Sequence, residues 1–421
     1  MRIVVLGNNL QSYVAASLFS SVGNEVVMPT ESRIPETVKQ EMGLIDIYSE
    51  QLNSKRLIAV PKLSESGFFD FVVVAGESLE NVGRKFKYLF SDMLSRESCV
   101  ILLTPTKVGE AESFNRKLNE QNIKIFTCVV PILLREGRAI QDFTRPSTII
   151  VGSDEPKAHK KVEALFHPFN RVKNVVKSVS TKEAEFAAFA THAMLATRLS
   201  FMNEMASLAE RSQVDIEVVR ECMGMDPRVG HEYLYPGCGY GGETLEKNVE
   251  EVANQLRLRS DDLGLLNIVA KINERQKDIL FRKIWNFFHA ELSGKRIAIW
   301  GASFKPGSAR IEGAPSISLI SSLISHNAQV SVYDPLASDS LTKFFNNSKQ
   351  VQIVSSATKT IKNADVLAIC TEWKEFWNPD FELLSQSLKY RAIFDGRNIL
   401  NPKTVENFGI KYFGVGRGLI I

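Results

Sequence analysis

Lys182–Arg211 reads KEAEFAAFATHAMLATRLSFMNEMASLAER, and this stretch decides the fold. It contains no Pro or Gly, is rich in Ala, Leu, Met and Glu, and repeats its apolar residues with a helical spacing. It predicts one helix that is longer than most globular helices.

A second decisive stretch follows at Pro236–Asn248, which reads PGCGYGGETLEKN. Four glycines in the first seven residues, followed by a helix start, indicate a tight loop that leads into a helix N-terminus. Such a loop brings backbone N–H groups close to a ligand, and the helix dipole favours an anion or a thiolate there.

Alternating strands and helices lie on both sides of these two stretches. RIVVL at 2–6, FVVVA at 71–75 and CVILL at 99–103 are typical of buried parallel strands, and KRIAIWG at 295–301 begins a second such series. We therefore predict an α/β protein with two Rossmann-like, doubly wound parallel sheets joined by a long central helix. The domains are expected at 1–180, 181–290 and 291–421, the middle one being helical and including a second long helical region at Asp261–His289.

Composition narrows the class of protein. At 421 residues the chain is long enough for two or three domains, and its net charge of +3 gives no argument for nucleic acid or a membrane surface. No apolar run reaches the length of a membrane span. Five scattered cysteines without CxxC spacing argue for free thiols in a reducing cytoplasm and against a zinc site, and no other metal site is predicted.

The N-terminal βαβ unit has the layout of a dinucleotide-binding fold, but its phosphate fingerprint is damaged. GxGxxG requires glycine where the backbone approaches the pyrophosphate and where the helix packs on the strand. Only Gly7 is kept, because Asn9 and Ser12 fill the other two positions. The acidic residue expected after the second strand is also missing, since Glu31 comes one position late. A βαβ unit without tight dinucleotide binding is the simpler interpretation.

Several segments together resemble the UDP-glucose/GDP-mannose dehydrogenase family. They occur in the family's order and are spread over nearly the whole chain: LREG at Leu134–Gly137, LATRLSFMNE at Leu195–Glu204, GMDPRVG at Gly224–Gly230, PGCGYGG at Pro236–Gly242, FKP at Phe304–Pro306, YDP at Tyr333–Pro335, TEWKEF at Thr371–Phe376, DGRN at Asp395–Asn398 and GVGRG at Gly414–Gly418.

The resemblance implies an enzyme that oxidises the C6 alcohol of a nucleotide sugar to a carboxylate with two NAD molecules. Family members use a cysteine thiolate to capture the aldehyde, and a lysine with an asparagine to stabilise the oxyanion. Here Thr244 stands at the cysteine, Ala188 at the lysine, His192 at the asparagine and Asn248 at an aspartate. Of the catalytic loop, only Lys247 is kept.

Other residues keep a possible binding role. The resemblance places three cations near a nucleotide sugar, Arg228, Lys305 and Arg397, with Arg228 reaching across a dimer interface, so a homodimer is expected. A structural or surface role for these cations is the alternative. The resemblance also implies two sets of contacts: Phe201, Gly239, Tyr240 and Gly241 around a sugar or base; Gly7, Asn9, Leu10, Glu31, Thr104 and Glu136 around NAD.

Four other residues could replace the missing catalytic groups, but each also has a simpler structural interpretation. Cys238 as a surrogate nucleophile competes with a small buried thiol, and His192 as an acid or base competes with a packed helix residue. Glu243 and Glu246 are explained by ordinary stabilisation of a helix N-terminus.

Three functions follow. The first is a catalytically inactive homologue that binds a nucleotide sugar, or a partner in polysaccharide synthesis. The second is an NAD-dependent oxidoreductase with altered residues, and the third is a pure interaction protein.

Overall fold

The structure is a computed structural model of the full chain. It describes all residues except 31–32, 62, 64–67, 86–92, 122, 124, 170–174, 243–244, 247–248, 250–263, 347 and 420–421. The chain divides into two compact units, Met1–Ala190 and Thr191–Ile421. The three-domain division at 180 and 290 stays a prediction.

The first unit alternates strands and helices along most of its length. Its strands are β1 Arg2–Leu6, β2 Glu25–Pro29, β3 Leu57–Val60, β4 Phe69–Val74, β5 Leu94–Leu102, β6 Phe126–Val129, β7 Ile149–Gly152 and β8 Val176–Val179. Its helices are α1 Leu10–Ser21, α2 Glu36–Gln40, α3 Leu44–Asn53, α4 Leu79–Lys85, α5 Glu110–Glu120, α6 Ala139–Thr144 and α7 Pro156–Phe166.

The first sheet has eight strands in the order β3-β2-β1-β4-β5-β6-β7-β8. Strand order reverses direction between β1 and β4, so the crevice at the carboxyl ends of these two strands is the topological switch point. The predicted parallel, doubly wound sheet is confirmed, with one difference: β6 and β7 pair antiparallel through Val129 and Gly152. The strands are short and apolar on both sides of this junction, and the sequence carries no signal for their relative direction.

Helices cover both faces of this sheet. On one side, α1 buries Tyr13, Val14 and Phe19 in the larger of two apolar clusters. Phe19 meets Phe143 and Phe166 edge-on at centroid distances of 5.4 Å, a favourable geometry for aromatic pairs. This packing fixes α1, and with it the β1–α1 turn, against the sheet.

The predicted central helix is confirmed as α8, Thr181–Ser212. Ser180 and Glu183 start it with reciprocal hydrogen bonds, a capping box in which each backbone N–H reaches the other side chain. It ends where Gln213 takes a left-handed conformation with φ 56°. The helix α9, Ile216–Gly224, follows, with Asp215 as its N-cap.

The second unit contains a six-stranded, fully parallel sheet in the order β11-β10-β9-β12-β13-β14. Its strands are β9 Arg296–Trp300, β10 Gln329–Tyr333, β11 Val351–Ile353, β12 Val366–Ile369, β13 Ala392–Asp395 and β14 Lys411–Phe413. The helices that follow α9 are α10 Leu265–Lys277, α11 Ile279–Phe287, α12 Pro315–Ser325, α13 Ser338–Phe344, α14 Ala357–Ile361, α15 Phe381–Ser387 and α16 Pro402–Asn407. Apolar clusters lie on both faces of this sheet.

The predicted second helical region at Asp261–His289 is confirmed over its described part, where it consists of two helices. Residues 261–263 lie outside the described residues, and the remainder forms α10 and α11, separated at Asp278. An aspartate is a weak helix former and is unfavourable at a helix C-terminus but favourable at an N-terminus, so the chain breaks there.

Candidate functional site

The β1–α1 turn in the first unit is closed by its own side chains. Asn9 Oδ1 accepts from the Ser12 N–H at 2.9 Å, and Ser12 Oγ accepts from the Asn9 N–H at 3.0 Å. Gly7 has φ +134°, and a Cβ on it would lie 1.9 Å from the Ala75 carbonyl oxygen. Gly7 is therefore needed for the strand-to-turn path, whereas Asn9 and Ser12 form a capping box that glycine would not provide. Leu10, predicted to contact NAD, is buried in the core below.

Polar side chains also connect this turn to the neighbouring strand ends. Gln11 Nε2 donates to the carbonyl oxygens of Leu103 and Ile132, each at 3.1 Å. Thr104 Oγ1 donates to Gln11 Oε1 at 2.7 Å and accepts from the Gly76 N–H at 2.6 Å. The carboxyl ends of β4, β5 and β6 are thus tied to the first turn of α1.

The position expected to bind a ribose carries no carboxylate among the described residues. Thr30 follows β2, and its hydroxyl lies 2.9 Å from the hydroxyl of the buried Tyr13. Tyr13 packs against Tyr48, and burial raises the pKa of Tyr48 to about 12. Glu31, the other residue predicted for this role, lies outside the described residues.

Two internal carboxylates cap helices beside this edge. Glu185 of α8 is fully buried and accepts from Thr106 Oγ1 at 2.8 Å, from the Gly109 N–H at 2.6 Å and from the Ala111 N–H at 2.9 Å, at the start of α5. Glu41 accepts from the N–H groups of Gly137 and Ala139 at the start of α6.

Glu136, predicted to contact NAD, is half-buried in the loop before α6. Beside Thr104 and Thr106 lies a cavity of about 250 Å³ whose lining includes Glu77 and Glu110.

On α8 lie Ala188 and His192, the two positions that the sequence analysis predicted to correspond to the family's oxyanion pair. Ala188 is only 2% exposed, so its methyl group is in packed surroundings. His192 is also buried, and burial lowers the pKa of its imidazole, which favours the neutral form.

In the second unit, three buried amide side chains hold the glycine loop by its backbone. Asn203 Oδ1 accepts from the Gly237 N–H at 2.9 Å, and Gln276 Nε2 donates to the Gly237 carbonyl at 2.7 Å. Asn273 bonds both the N–H and the carbonyl of Tyr240, at 2.9 and 3.0 Å. The Tyr240 ring packs in a small apolar cluster with Ala196.

A buried cation lies beneath this loop. Lys277 is 5% exposed, and its Nζ is 2.7 Å from a carboxylate oxygen of Glu246 and 2.7 Å from one of Glu274. Burial alone would lower the pKa of Lys277, but the hydrogen bonds to Glu246 and Glu274 outweigh it, and the pKa is raised. Lys277 is therefore a permanent ammonium paired with Glu246, a residue that the sequence analysis assigned only to helix stabilisation.

The loop also approaches the segment after β9. A Cβ on Gly241 would be 2.5 Å from the Gly313 carbonyl oxygen, and one on Gly242 would be 2.7 Å from the Phe304 ring. The Gly242 N–H donates to the Glu312 carbonyl. Three of the predicted catalytic positions, Thr244, Lys247 and Asn248, lie outside the described residues, as does Glu243.

Cys238 is fully buried in the apolar cluster of the second unit. Burial raises the pKa of its thiol, which disfavours the thiolate that a nucleophile needs. The small-buried-thiol interpretation is confirmed.

The three predicted anion-binding cations have different surroundings. The Arg228 side chain is 88% exposed and pairs with Asp226 of the same turn at 2.6 Å. The ammonium of Lys305 lies 5.4 Å from the centre of the Phe304 ring. Arg397 donates to the carbonyls of Cys370 and Gly239 and lies 3.3 Å from Glu372.

Two motif carboxylates have internal partners. Asp334 of YDP is fully buried and accepts from the N–H groups of Ala302 and Ser303 and from the indole of Trp373. Asp395 of DGRN accepts from the Arg397 and Leu400 N–H groups and the Tyr412 hydroxyl, and burial raises the pKa of its carboxyl. These motifs therefore fix loop geometry at the carboxyl edge of the second sheet.

The sequence analysis missed most of the groups that shape these loops: Gln11, Glu41, Glu185, Asn203, Asn273, Gln276 and Lys277. The available signal was a polar residue on the apolar face of a helix, which marks a buried hydrogen-bonding group without naming its partner.

Among the residues that the structure describes, no helix has the length and apolar content needed to cross a bilayer. Within that same part of the chain, no three His, Cys, Asp or Glu side chains are grouped so as to hold a metal ion.

Comparison with known proteins gives a consistent result. Residues 182–275 match the central domain of the UDP-glucose/GDP-mannose dehydrogenase family, and residues 298–402 match its UDP binding domain. The chain is 32% identical to a UDP-glucose 6-dehydrogenase of Pseudomonas aeruginosa, over 99% of this chain and 98% of the relative. It is 25% identical to the Rickettsia conorii protein of the same name, over 99% of both chains.

Solved structures agree on the fold. A UDP-D-ManNAc dehydrogenase of Pyrococcus horikoshii superimposes with a TM-score of 0.84, at 23% identity over 100% of both chains. A UDP-glucose dehydrogenase of Pyrobaculum islandicum gives 0.81, at 23% identity over 99% of this chain and 97% of that one. The chain belongs to the UDP-glucose/GDP-mannose dehydrogenase family.

Proposed function

We propose that this protein binds a nucleotide sugar through its second unit and does not catalyse the NAD-dependent four-electron oxidation. The observation that carries the proposal is the buried methyl group of Ala188, at the position where the family has a lysine. The position one turn later on the same helix face holds His192, whose lowered pKa favours a neutral imidazole over a cation.

The reaction needs groups that this chain has exchanged. A thiolate must capture the aldehyde, and Thr244 supplies a hydroxyl whose proton is far harder to remove. Loss of one oxyanion donor typically costs about 10²- to 10³-fold in rate. Loss of the thiol, the lysine and its partner together leaves no route to the second oxidation.

Binding, in contrast, has support. The match to the UDP binding domain covers 298–402, and it includes Lys305 and Arg397. The backbone of the glycine loop is held at Gly237 and Tyr240 by four hydrogen bonds with buried amides, which gives a ligand a fixed loop to bind against. A UDP- or GDP-sugar is the ligand class that this loop and these cations favour.

A second candidate is a two-electron oxidoreductase with His192 as general base. The lowered pKa of His192 supports it, because a general base must be neutral at the working pH. The same candidate with Cys238 as nucleophile is not supported, because that thiol is in the core.

The test is calorimetric titration of the purified protein with UDP-glucose, UDP-glucuronate and GDP-mannose, and separately a search for NADH production with each sugar. We expect saturable binding of at least one sugar nucleotide and no NADH above background. Lys305→Met should weaken binding, whereas Lys343→Met, which changes an exposed lysine on α13, should not. NADH production lost in His192→Asn would establish the second candidate, and absence of any nucleotide binding would leave a pure interaction protein.

We also propose a homodimer formed through α8. Met194, Phe201 and Leu208 recur every seven residues, which places them on one face of the helix, and all three are exposed. Val218 and Met225 add further exposed apolar surface on α9 and directly after it. A stripe of this size is typical of an interface, so Phe201→Glu should convert a dimer to a monomer in sedimentation equilibrium. An unchanged mass would contradict the proposal.

The cellular context is proposed on chemical grounds. All five cysteines are free, which suits a reducing cytoplasm. Nucleotide sugars supply polysaccharide synthesis, so we expect the protein to act as a binding or regulatory component there.

A further inference from the structure

We infer that Asn9, Gln11 and Thr104 occupy the place where a dinucleotide would lie in the first unit, so that this unit does not bind NAD. The inference is independent of the proposed function, because a chain without catalytic groups can still bind a cofactor. It follows from testing the residues at the β1–α1 turn against what NAD needs.

The Asn9 amide lies at the switch point of the first sheet. In an open α/β sheet a dinucleotide binds in the crevice at the carboxyl ends of the strands where strand order reverses, here between β1 and β4. Gly76 lies just beyond the end of β4, and the Asn9 amide stands directly over it: a Cβ on Gly76 would be 1.5 Å from Asn9 Nδ2. The amide therefore fills the crevice that the ligand would enter.

Two backbone N–H groups at the turn already donate to side chains. A pyrophosphate would accept from N–H groups in the first turn of α1. The Ser12 N–H already donates to Asn9 Oδ1, and the Gly76 N–H donates to Thr104 Oγ1. Gln11 is held by Leu103, Ile132 and Thr104, so its displacement would break three hydrogen bonds.

The polar and charged side chains around the turn also do not suit a dinucleotide. The Thr30 hydroxyl, paired with Tyr13, stands where a carboxylate would accept a ribose hydroxyl. The cavity next to this turn is lined by residues that follow β4 and β5, among them Gly76 and Thr104. Its lining includes Glu77 and Glu110, which would repel a pyrophosphate.

The experiment measures NAD binding directly, by saturation-transfer NMR and calorimetry with the full chain. Wild-type protein should show no saturable binding up to about 1 mM NAD. The variant Asn9→Gly/Ser12→Gly/Thr30→Asp restores the fingerprint glycines and supplies a ribose acceptor. It should bind NAD saturably with a Kd of about 0.1 mM or lower, tenfold below the concentration at which wild type still shows no saturation, without any change in affinity for a nucleotide sugar.

Two further proteins make the result decisive. Asn9→Gly alone removes the amide over Gly76 and leaves glycine, a tolerated N-cap residue, so it keeps the test usable if the triple variant does not fold. Asn401→Gly is the matched control, because Asn401 caps α16 in the same way in the second unit.

Gain of NAD binding in the Asn9 variants and not in the Asn401 control supports the inference. Saturable binding by wild type overturns it, and so does failure of both folded Asn9 variants to gain binding. A nucleotide-sugar titration in the same samples reports separately on the proposed function.

Discussion

The buried carboxylate of Glu185 offers the sharpest test of how the first unit is held together. It accepts from one hydroxyl and two backbone N–H groups at the start of α5, and it has no exposed surface. Glu185→Gln keeps the size of the side chain but replaces one oxygen with an NH₂ group. That group faces an N–H donor, most directly the one of Gly109.

The magnitude follows from these contacts. One charge-assisted hydrogen bond, worth about 1.5–3 kcal/mol, is lost, and the other two become neutral and weaker. The favourable interaction with the α5 dipole, about 0.3–1 kcal/mol, is lost as well. The neutral amide is easier to bury, which offsets part of this loss. We expect a net local destabilisation of about 2–4 kcal/mol.

The assay is native-state hydrogen exchange on peptides covering 104–118, because a local opening need not unfold the whole chain. At about 1.4 kcal/mol per tenfold change, exchange should accelerate by about 30- to 1,000-fold. Glu112→Gln is the control, since Glu112 lies on α5, the helix that Glu185 caps, and forms an exposed pair with Lys182; it should change exchange less than about threefold. If Glu185→Gln also stays within threefold, the carboxylate does not hold this loop and the reasoning is wrong.

Three further predictions use the same logic. Burial lowers the pKa of His192, so below pH about 6.5 the unfolded chain binds a proton at this residue that the folded chain does not. The free energy of unfolding should therefore fall as the pH is lowered, by at most about 1.4 kcal/mol per pH unit. The measurement is the urea concentration at the unfolding midpoint, plotted against pH. In His192→Asn this midpoint should fall less below pH about 6.5 than in wild type, whereas His167→Asn, at an exposed position, should behave like wild type. Equal pH profiles for His192→Asn and wild type would contradict the assignment. Asn273→Ala removes the hydrogen bonds that Asn273 forms with the N–H and the carbonyl of Tyr240. It should lower the free energy of unfolding in urea by about 2–4 kcal/mol, more than twice the loss in Asn401→Ala. Cys222 is the exposed cysteine of the single chain, and it lies between Val218 and Met225 of the proposed dimer surface. A thiol reagent should therefore modify it faster in the Phe201→Glu variant than in wild type, and no thiol should react rapidly in Cys222→Ser; equal rates in wild type and Phe201→Glu would contradict the proposed surface.

The general architecture could be predicted because it rests on local patterns. Apolar strand runs, a long segment free of Pro and Gly, and glycine-rich turns all act within a few residues, and they identified both sheets and α8. The antiparallel direction of β7 was not predictable, because it depends on pairing between segments that carry the same apolar signal. The short strands β3, β11 and β14 were not predicted, because runs of three or four residues are too short to show the periodicity of a strand.

The site could be predicted only in part. Motif comparison predicted that Ala188 and His192 replace catalytic groups of the family, and this stays a prediction. The contacts of Gln11 with Leu103 and Ile132, and of Glu185 with Gly109, join residues far apart in the chain. A polar residue at a buried position indicates that it has a hydrogen-bond partner, but only the folded structure shows which residue that partner is.

The clamp on the glycine loop has an evolutionary consequence. Asn203, Asn273 and Gln276 grip main-chain atoms of Gly237 and Tyr240, so the course of this part of the loop does not depend on which side chains follow it. Chemistry can be lost from such a loop by substitution while the frame that once presented it persists. The same hydrogen bonds would hold Gly237 and Tyr240 in a variant that carries a cysteine at position 244.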